Sequence, residues 1–166
     1  MEKKQPIRKN IRLPDYDYSE PGFYFVTICT AVRNRNVLCS VHTVGDAALG
    51  VPQIRLTHAG TAVEKHIRNI DPVYSGTARV DAYAIMPDHV HLLIELCPQE
   101  DGSPRAATPT DIPRIVNTLK SLSSKSAGRQ LWQRGYFDHI IRNDADLAET
   151  RQYIRNNPLN WISNKE

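Results

Sequence analysis

The stretch "ARVDAYAIMPDHVHLLIEL", residues 78–96, reads as two β-strands joined by a Pro87-Asp88 turn. Its second half alternates. Val90, Leu92, Ile94 and Leu96 form one uniformly apolar set, and His89, His91, Leu93 and Glu95 form the other. Strand side chains point alternately to the two faces of a sheet, so each set owns one face. The apolar set belongs on the packed side. The two histidines then stand side by side on the open face, where a residue type poorly suited to burial needs another reason to be.

The elements on either side of this hairpin give it a fold. "FYFVTICT" (Phe23 to Thr30) is aromatic and β-branched and follows Pro21-Gly22, which predicts a strand. Residues 31–52, with Gly45 and Gly50, predict a loop or a ragged hairpin. A helix opens at Thr57, with Ala59, Ala62, Val63, His66, Ile67 and Ile70 at helical spacing on one face. His66, on that stripe, reads as a core histidine with a partner. After the proline-rich polar segment "CPQEDGSPRAATP" (Cys97 to Pro109), a second helix carries the stripe Ile112, Ile115, Val116, Leu119 and Leu122. "YFDHIIR" (Tyr136 to Arg142) predicts a further strand. Asn143 or Asp144 caps a last helix expected to run to about Asn157, where Pro158 discourages continuation.

The order strand, helix, two strands, helix, strand is the ferredoxin-like β-α-β-β-α-β pattern with one helix added, an α+β class. Both striped helices should cover one face of an antiparallel sheet. The 166 residues suit a single domain over 1–166, with residues 1–10 as a basic tail. Apolar residues are 40% and charged residues 23%, ordinary values for a folded protein. No run approaches the roughly 20 apolar residues of a membrane helix, and "MEKKQPIRKN" leads into no signal-type core. Cys29, Cys39 and Cys97 form no CxxC, which argues against a disulfide framework or a cysteine zinc site and for a cytoplasmic protein with reduced thiols. A net charge of +3 permits a nucleic-acid partner without requiring one. Basic residues cluster at Lys3, Lys4, Arg8, Lys9 and Arg12 and recur at Arg114, Lys120, Lys125, Arg129 and Arg134, a pattern that a solvated surface also explains.

Neutral imidazole is a common metal ligand, and an i, i+2 pair on a strand supplies two at once. Satisfied polar histidines are the other reading of that spacing. The last helix adds context: Tyr153 and Asn157 are four apart and share a helical face. Packed across the open sheet face, that helix would offer Asn157 as a third, oxygen ligand and leave coordination positions for a substrate oxygen. Tyr153 would then be the nucleophile, its phenol helped by a divalent ion that polarises a phosphodiester. Attack would leave a phosphotyrosine linkage that keeps the energy of the phosphodiester, so rejoining needs no ATP. Tyr153 packing at a helix surface is the alternative.

"IRLPDYDYSEPGFYFVTICT", "AYAIMPDHVHLLIE", "LWQRGYFDHIIRN" and "YIRNNPLNW" together resemble the REP-associated tyrosine transposases of bacteria, within the single-tyrosine HUH transposases. The resemblance runs from about Ile11 to Trp161. It implies that His89 and His91 are metal ligands, that Tyr153 is the nucleophile, and that Asn157 completes the metal site. Relatives in insertion sequences commonly carry glutamine where this chain has the shorter Asn157. The implied ion is Mg2+ or Mn2+. The implied substrate is single-stranded DNA folded into an imperfect hairpin, as in repetitive extragenic palindromes (REP). Arg12, Lys120, Lys125, Arg142 and Arg155 are candidate phosphate contacts, and His139 could line the site. Asp88 could orient or ligate, although a Pro-Asp turn explains it. Trp132 and Tyr136 are candidates to stack on an unpaired base, with a buried anchor the better reading of Trp132. The enzyme reading is nicking and rejoining of single-stranded DNA in the bacterial cytoplasm, by a monomer or, less simply, a dimer. The competing reading is a ferredoxin-like nucleic-acid-binding module without catalysis. A zinc hydrolase would need one more carboxylate or histidine ligand.

Overall fold

The chain is seen in a computed structural model that describes residues 16–33, 35–44, 51–98 and 110–163. The basic tail, Arg12 and most of the segment from Cys97 to Pro109 lie outside the described residues. The elements in chain order are β1 (Gly22–Cys29), β2 (Cys39–Val44), β3 (Val51–Leu56), α1 (His58–Arg68), α2 (Ile70–Val73), β4 (Ala78–Ile85), β5 (His89–Leu96), α3 (Ile112–Ser126), β6 (Phe137–Ile140) and α4 (Asp144–Ser163). Strands β1, β4, β5 and β6 form an antiparallel sheet in the order β4-β5-β1-β6, while β2 and β3 pair separately. Counting only the main strands, that is the ferredoxin-like order expected from the sequence. The segment expected as a loop or ragged hairpin holds β2 and the first residues of β3, which form a regular antiparallel pair.

Local chemistry starts each helix. Thr57 caps α1 by accepting from the Gly60 N–H at 3.1 Å, and Asp111 caps α3 by accepting from the Arg114 N–H at 2.6 Å. Asn143 accepts from the Asp146 N–H at 2.9 Å and so caps α4, whose first turn carries Asp144 and Asp146 against the positive end of the helix dipole.

Helices α1 and α3 lie together over one sheet face. Val63, Ile67, Ile115 and Val116 pack there on Val26, Ile28, Val90, Leu92 and Ile94 in one buried cluster. Truncating a fully buried member such as Leu92 to alanine costs about 2–5 kcal/mol. Leu122, expected on the α3 stripe, is exposed. The buried residue at that level is Ser123, whose hydroxyl accepts from the Trp132 indole N–H at 2.9 Å. His66 has the partner expected of it, Ser126 at 2.8 Å, but at the half-exposed rim of the α1-α3 seam rather than in the core.

The other face has a smaller cluster. Ala84, Met86, Leu93 and Ile154 are buried there, with Phe23, Phe25, Leu147 and Trp161 against them, so α4 covers this face. A bulge in β4 helps to hold it. Val80 pairs with Ile94 and Ala82 with Leu93, which leaves Asp81 as an extra residue, and its carboxylate receives Arg151 of α4 in two hydrogen bonds of 2.7 and 2.8 Å. Contrary to expectation, α4 does not stop near Asn157 but continues through Pro158 to Ser163. Proline removes one ladder hydrogen bond to the Ile154 carbonyl. Packing of Trp161 onto the small cluster and against His89 keeps the last turns helical in spite of that loss.

Candidate active site

Strand alternation delivers the histidines as expected. Val90, Leu92, Ile94 and Leu96 are buried beneath α1 and α3, and His89 and His91 emerge on the face that α4 crosses. Their Nε2 atoms point at one another, 3.1 Å apart, and their rings meet edge to face. His89 Nδ1 lies 2.8 Å from the Asp88 carboxylate, and His91 Nδ1 lies 2.8 Å from the Thr27 hydroxyl on the neighbouring β1. Asp88 is thus both the turn residue and a direct partner of His89. It is buried, with the Arg33 guanidinium 4.0 Å away. His91 is buried as well. Burial, reinforced by the positive charge His89 can carry, pushes its pKa down to about 3, so it stays a neutral imidazole with a usable lone pair at ordinary pH.

Helix α4 supplies the rest. The Tyr153 ring stands edge-on to His91 with centroids 5.3 Å apart, and edge-on to Phe25 at 5.8 Å, while Phe25 stacks on His91 at 5.3 Å. One end of the Tyr153 side chain is open to solvent, since 45% of the residue is exposed. Two turns further on, Trp161 lies 5.8 Å from His89. Asn157 sits between them at the same helical spacing and is buried. The helix therefore touches one histidine with Tyr153 and the other with Trp161, and a buried amide lies between the two contacts.

The basic candidates fare unevenly. Arg155 is exposed, two residues from Tyr153, and Arg142 is exposed two residues beyond β6. Lys120 does not reach outward: its amine donates to the carbonyls of Gln133 and Gly135 at 2.8 and 2.9 Å, and burial lowers its pKa. Lys125 is exposed in the last turn of α3, behind the sheet as seen from the histidines. His139 does share their face, because it pairs with Phe25, but its Nε2 is 2.9 Å from the Asp146 carboxylate and so fastens the start of α4. Trp132 is a buried anchor. Tyr136 packs with the α1-α3 cluster and is not on the histidine face. Phe137, which sequence reasoning passed over, is 49% exposed and pairs with Thr27, which in turn pairs with His91, so it lies in the histidines' own row.

A metal site would fit this donor set. The two Nε2 atoms converge, and each Nδ1 has a partner of its own, Asp88 for His89 and Thr27 for His91, so Nε2 is the nitrogen each ring would present to an ion. Among the described residues no three of His, Cys, Asp and Glu gather to hold an ion. Asn157, one helical turn beyond Tyr153, is buried.

Residues 55–157, more than half of the chain, match the family described as transposase IS200 like, a span that includes both histidines and Tyr153 and ends on Asn157. The chain belongs to the IS200-like transposases. As a member of this family it is a DNA-processing protein. An uncharacterised protein of Haemophilus influenzae strain Rd is 32% identical over 171 residues, covering 93% of this chain and 89% of that one. Another protein of the same strain, assigned by name to the REP-associated tyrosine transposases, is 24% identical over 149 residues, covering 86% and 73%. Among solved structures, a REP-associated tyrosine transposase bound to a REP hairpin superposes with a TM-score of 0.61 at 18% identity, over 87% of this chain and 71% of that one. That likeness establishes the shared fold of this IS200-like transposase. Among the described residues no helix is long and apolar enough to cross a membrane.

Proposed function

We propose that this transposase nicks and rejoins single-stranded DNA through a covalent 5'-phosphotyrosine at Tyr153, acting on hairpin DNA of the REP type. The observation that carries the reading is the edge contact of Tyr153 with His91, at 5.3 Å, beside two imidazoles whose Nε2 atoms converge. His89 and His91 hold a divalent ion through Nε2, with the Asn157 amide oxygen as the third ligand. Mg2+ or Mn2+, when bound, supplies the positive charge that polarises the phosphodiester and favours phenolate. The Tyr153 Oη attacks phosphorus, the P–O3' bond breaks, and the departing 3' oxygen takes a proton. Attack by a 3' hydroxyl on the phosphotyrosine reverses the exchange with no external energy source. Arg142 and Arg155, both exposed, are the proposed phosphate contacts. Phe137 offers its open ring to an unpaired base in the same row.

The docking of α4 on its own sheet, with Arg151 seated on Asp81, supports action in cis by a monomer. The whole of residues 1–166 then works as one domain in the bacterial cytoplasm. The test is incubation with a radiolabelled single-stranded hairpin and Mn2+, followed by denaturing electrophoresis. Wild type should give a slow-migrating protein–DNA adduct that disappears with EDTA. His89→Ala and His91→Ala should give none, yet should still bind the hairpin within a few-fold, because Lys and Arg contacts dominate non-specific affinity. Retention of the hairpin without any adduct, across single-stranded substrates, would favour the binding module without catalysis.

A further inference from the structure

The two ends of the four-stranded sheet differ in charge, and the end from which His89 emerges is the basic one. Two loops meet there, residues 30–37 after β1 and residues 127–135 ahead of β6. The Ala31 N–H donates to the Leu131 carbonyl at 2.7 Å, and the Gln133 N–H donates to the Cys29 carbonyl at 2.9 Å. The first loop is pinned again on its far side, where the Val37 and Leu38 N–H groups both donate to the Pro87 carbonyl, at 2.9 and 3.0 Å. Cys29 pairs with His89, so this frame borders the histidines. It carries Arg33, Arg35, Arg129 and Arg134, all exposed, and its sequence holds no aspartate or glutamate. Among the described residues only the buried Asp88 offers it a carboxylate, 4.0 Å from Arg33. Toward the opposite end of the sheet the cations are matched: Arg79 holds Glu95, and Arg151 holds Asp81. Asp17, Glu20, Asp71 and Asp111 also gather there, around the start of β1 and the start of β4.

We propose that this arginine rim is the docking surface for the phosphate backbone of the paired stem of a DNA hairpin. It would seat the stem beside the histidines, with the unpaired strand continuing onto the α4 face. The inference rests on the reading that the chain acts on hairpin DNA. Chemistry selects the stem over the unpaired strand. Single-strand sites combine cations with exposed aromatic rings on which bases stack. The rim offers no such ring among the described residues: Trp132 is buried, and the exposed large apolar side chain of the two loops is Val32. The exposed rings of Phe137 and Tyr153 lie on the histidine face instead. Guanidinium groups without a stacking partner contact phosphates alone, which suits a stem whose bases are paired inward. Because both loops are hydrogen-bonded to each other and to the sheet, docking requires no ordering of the backbone that carries the four arginines.

The test is fluorescence-anisotropy titration over a range of NaCl, in EDTA so that no strand is cut. Two probes of equal length are compared, a DNA hairpin with a short unpaired flank and an unstructured single strand. Arg35→Gln, Arg129→Gln and Arg134→Gln should each reduce the steepness of log K against log salt by about 0.9 for the hairpin. Affinity for the unstructured strand should stay within a few-fold. Lys65→Gln removes the same charge from an exposed position on α1 and should leave the hairpin's salt dependence as in wild type. All four substitutions are at exposed positions, so the variants should melt with the wild type. Equal losses on the two probes would overturn the assignment to the stem. If wild type binds the hairpin no more tightly than the unstructured strand, the hairpin reading and this inference fall together. If wild type prefers the hairpin while the arginine variants behave as Lys65→Gln does, the inference alone falls.

Discussion

Replacing Tyr153 with phenylalanine removes a single oxygen, and the structure sets how small the structural effect should be. Among the described residues the Tyr153 hydroxyl has no hydrogen-bond partner, and 45% of the residue is exposed. The ring contacts with His91 and Phe25 are edge-on contacts that phenylalanine reproduces. No buried polar group is orphaned and no cavity opens, so the change in stability should stay within about 0.5 kcal/mol. For a chain of this length that is a shift in melting temperature below about 2 °C. The chemical effect is all or none, because phenylalanine has no atom that can attack phosphorus. The assay compares adduct on denaturing gels at equal Mn2+ and hairpin concentration, with hairpin affinity and melting temperature measured on the same preparations. Wild type should form adduct and Tyr153→Phe none, with the two control quantities nearly unchanged. Adduct at the wild-type level from the phenylalanine variant would refute the assignment and require a nucleophile elsewhere. Tyr136, turned toward the α1-α3 layer, is poorly placed to be it.

Asp81→Asn should loosen α4. The carboxyl of Asp81 is held below its ordinary pKa, chiefly by its hydrogen bonds from Arg151, so the pair stabilises the fold above the unfolded value near 4 and is lost as pH falls through the folded one. The pair is partly exposed, so the variant should melt a few degrees lower at pH 7, about 1 kcal/mol. That gap should shrink progressively as melts are taken below about pH 4; an equal gap at pH 7 and in acid would contradict the argument. Gly60→Ala should be more damaging, because a β-carbon there would sit 1.9 Å from the Leu38 carbonyl oxygen. Backbone must move to relieve it, at about 3 kcal/mol by chemical denaturation, and a neutral result would mean that α1 can shift without cost.

The strength of the β5 pattern explains why the histidine face was legible: Val90, Leu92, Ile94 and Leu96 make one wholly apolar face, and the other carries three polar residues with Leu93. The strand β4 was harder. Ala78 and Val80 face the helices with Tyr83 and Ile85, and the phase slips at Asp81, where a bulge interrupts what local alternation would predict. Pro158 misled for a related reason, since propensity at one residue is overridden by packing of Trp161 three residues later. Tyr153 and the histidine pair could be singled out because each lies within a short local motif. Thr27 could not. Its contact with His91 spans 64 residues of sequence and exists only through the register of β1 on β5, to which no local period points. Lys120 shows the converse: a basic residue on the polar side of a helix looks free until the loop that folds onto its amine is known.

The two faces of the sheet are held by cores of very different size, and this predicts an order of opening. Lifting α4 uncovers only the small cluster around Ile154 and breaks the Arg151 and His139 fastenings, while the large cluster under α1 and α3 remains closed. In native-state hydrogen exchange the amides of α4 should therefore open as a separate unit, well below the free energy at which Val26, Leu92 and Val116 exchange. Since His89 and His91 belong to the sheet and Asn157 to the helix, a ligand held by all three would close that unit in particular. Mn2+ should slow exchange along α4 by a factor of about 1 + [Mn2+]/Kd while leaving the slowest amides of β5 and α3 almost untouched.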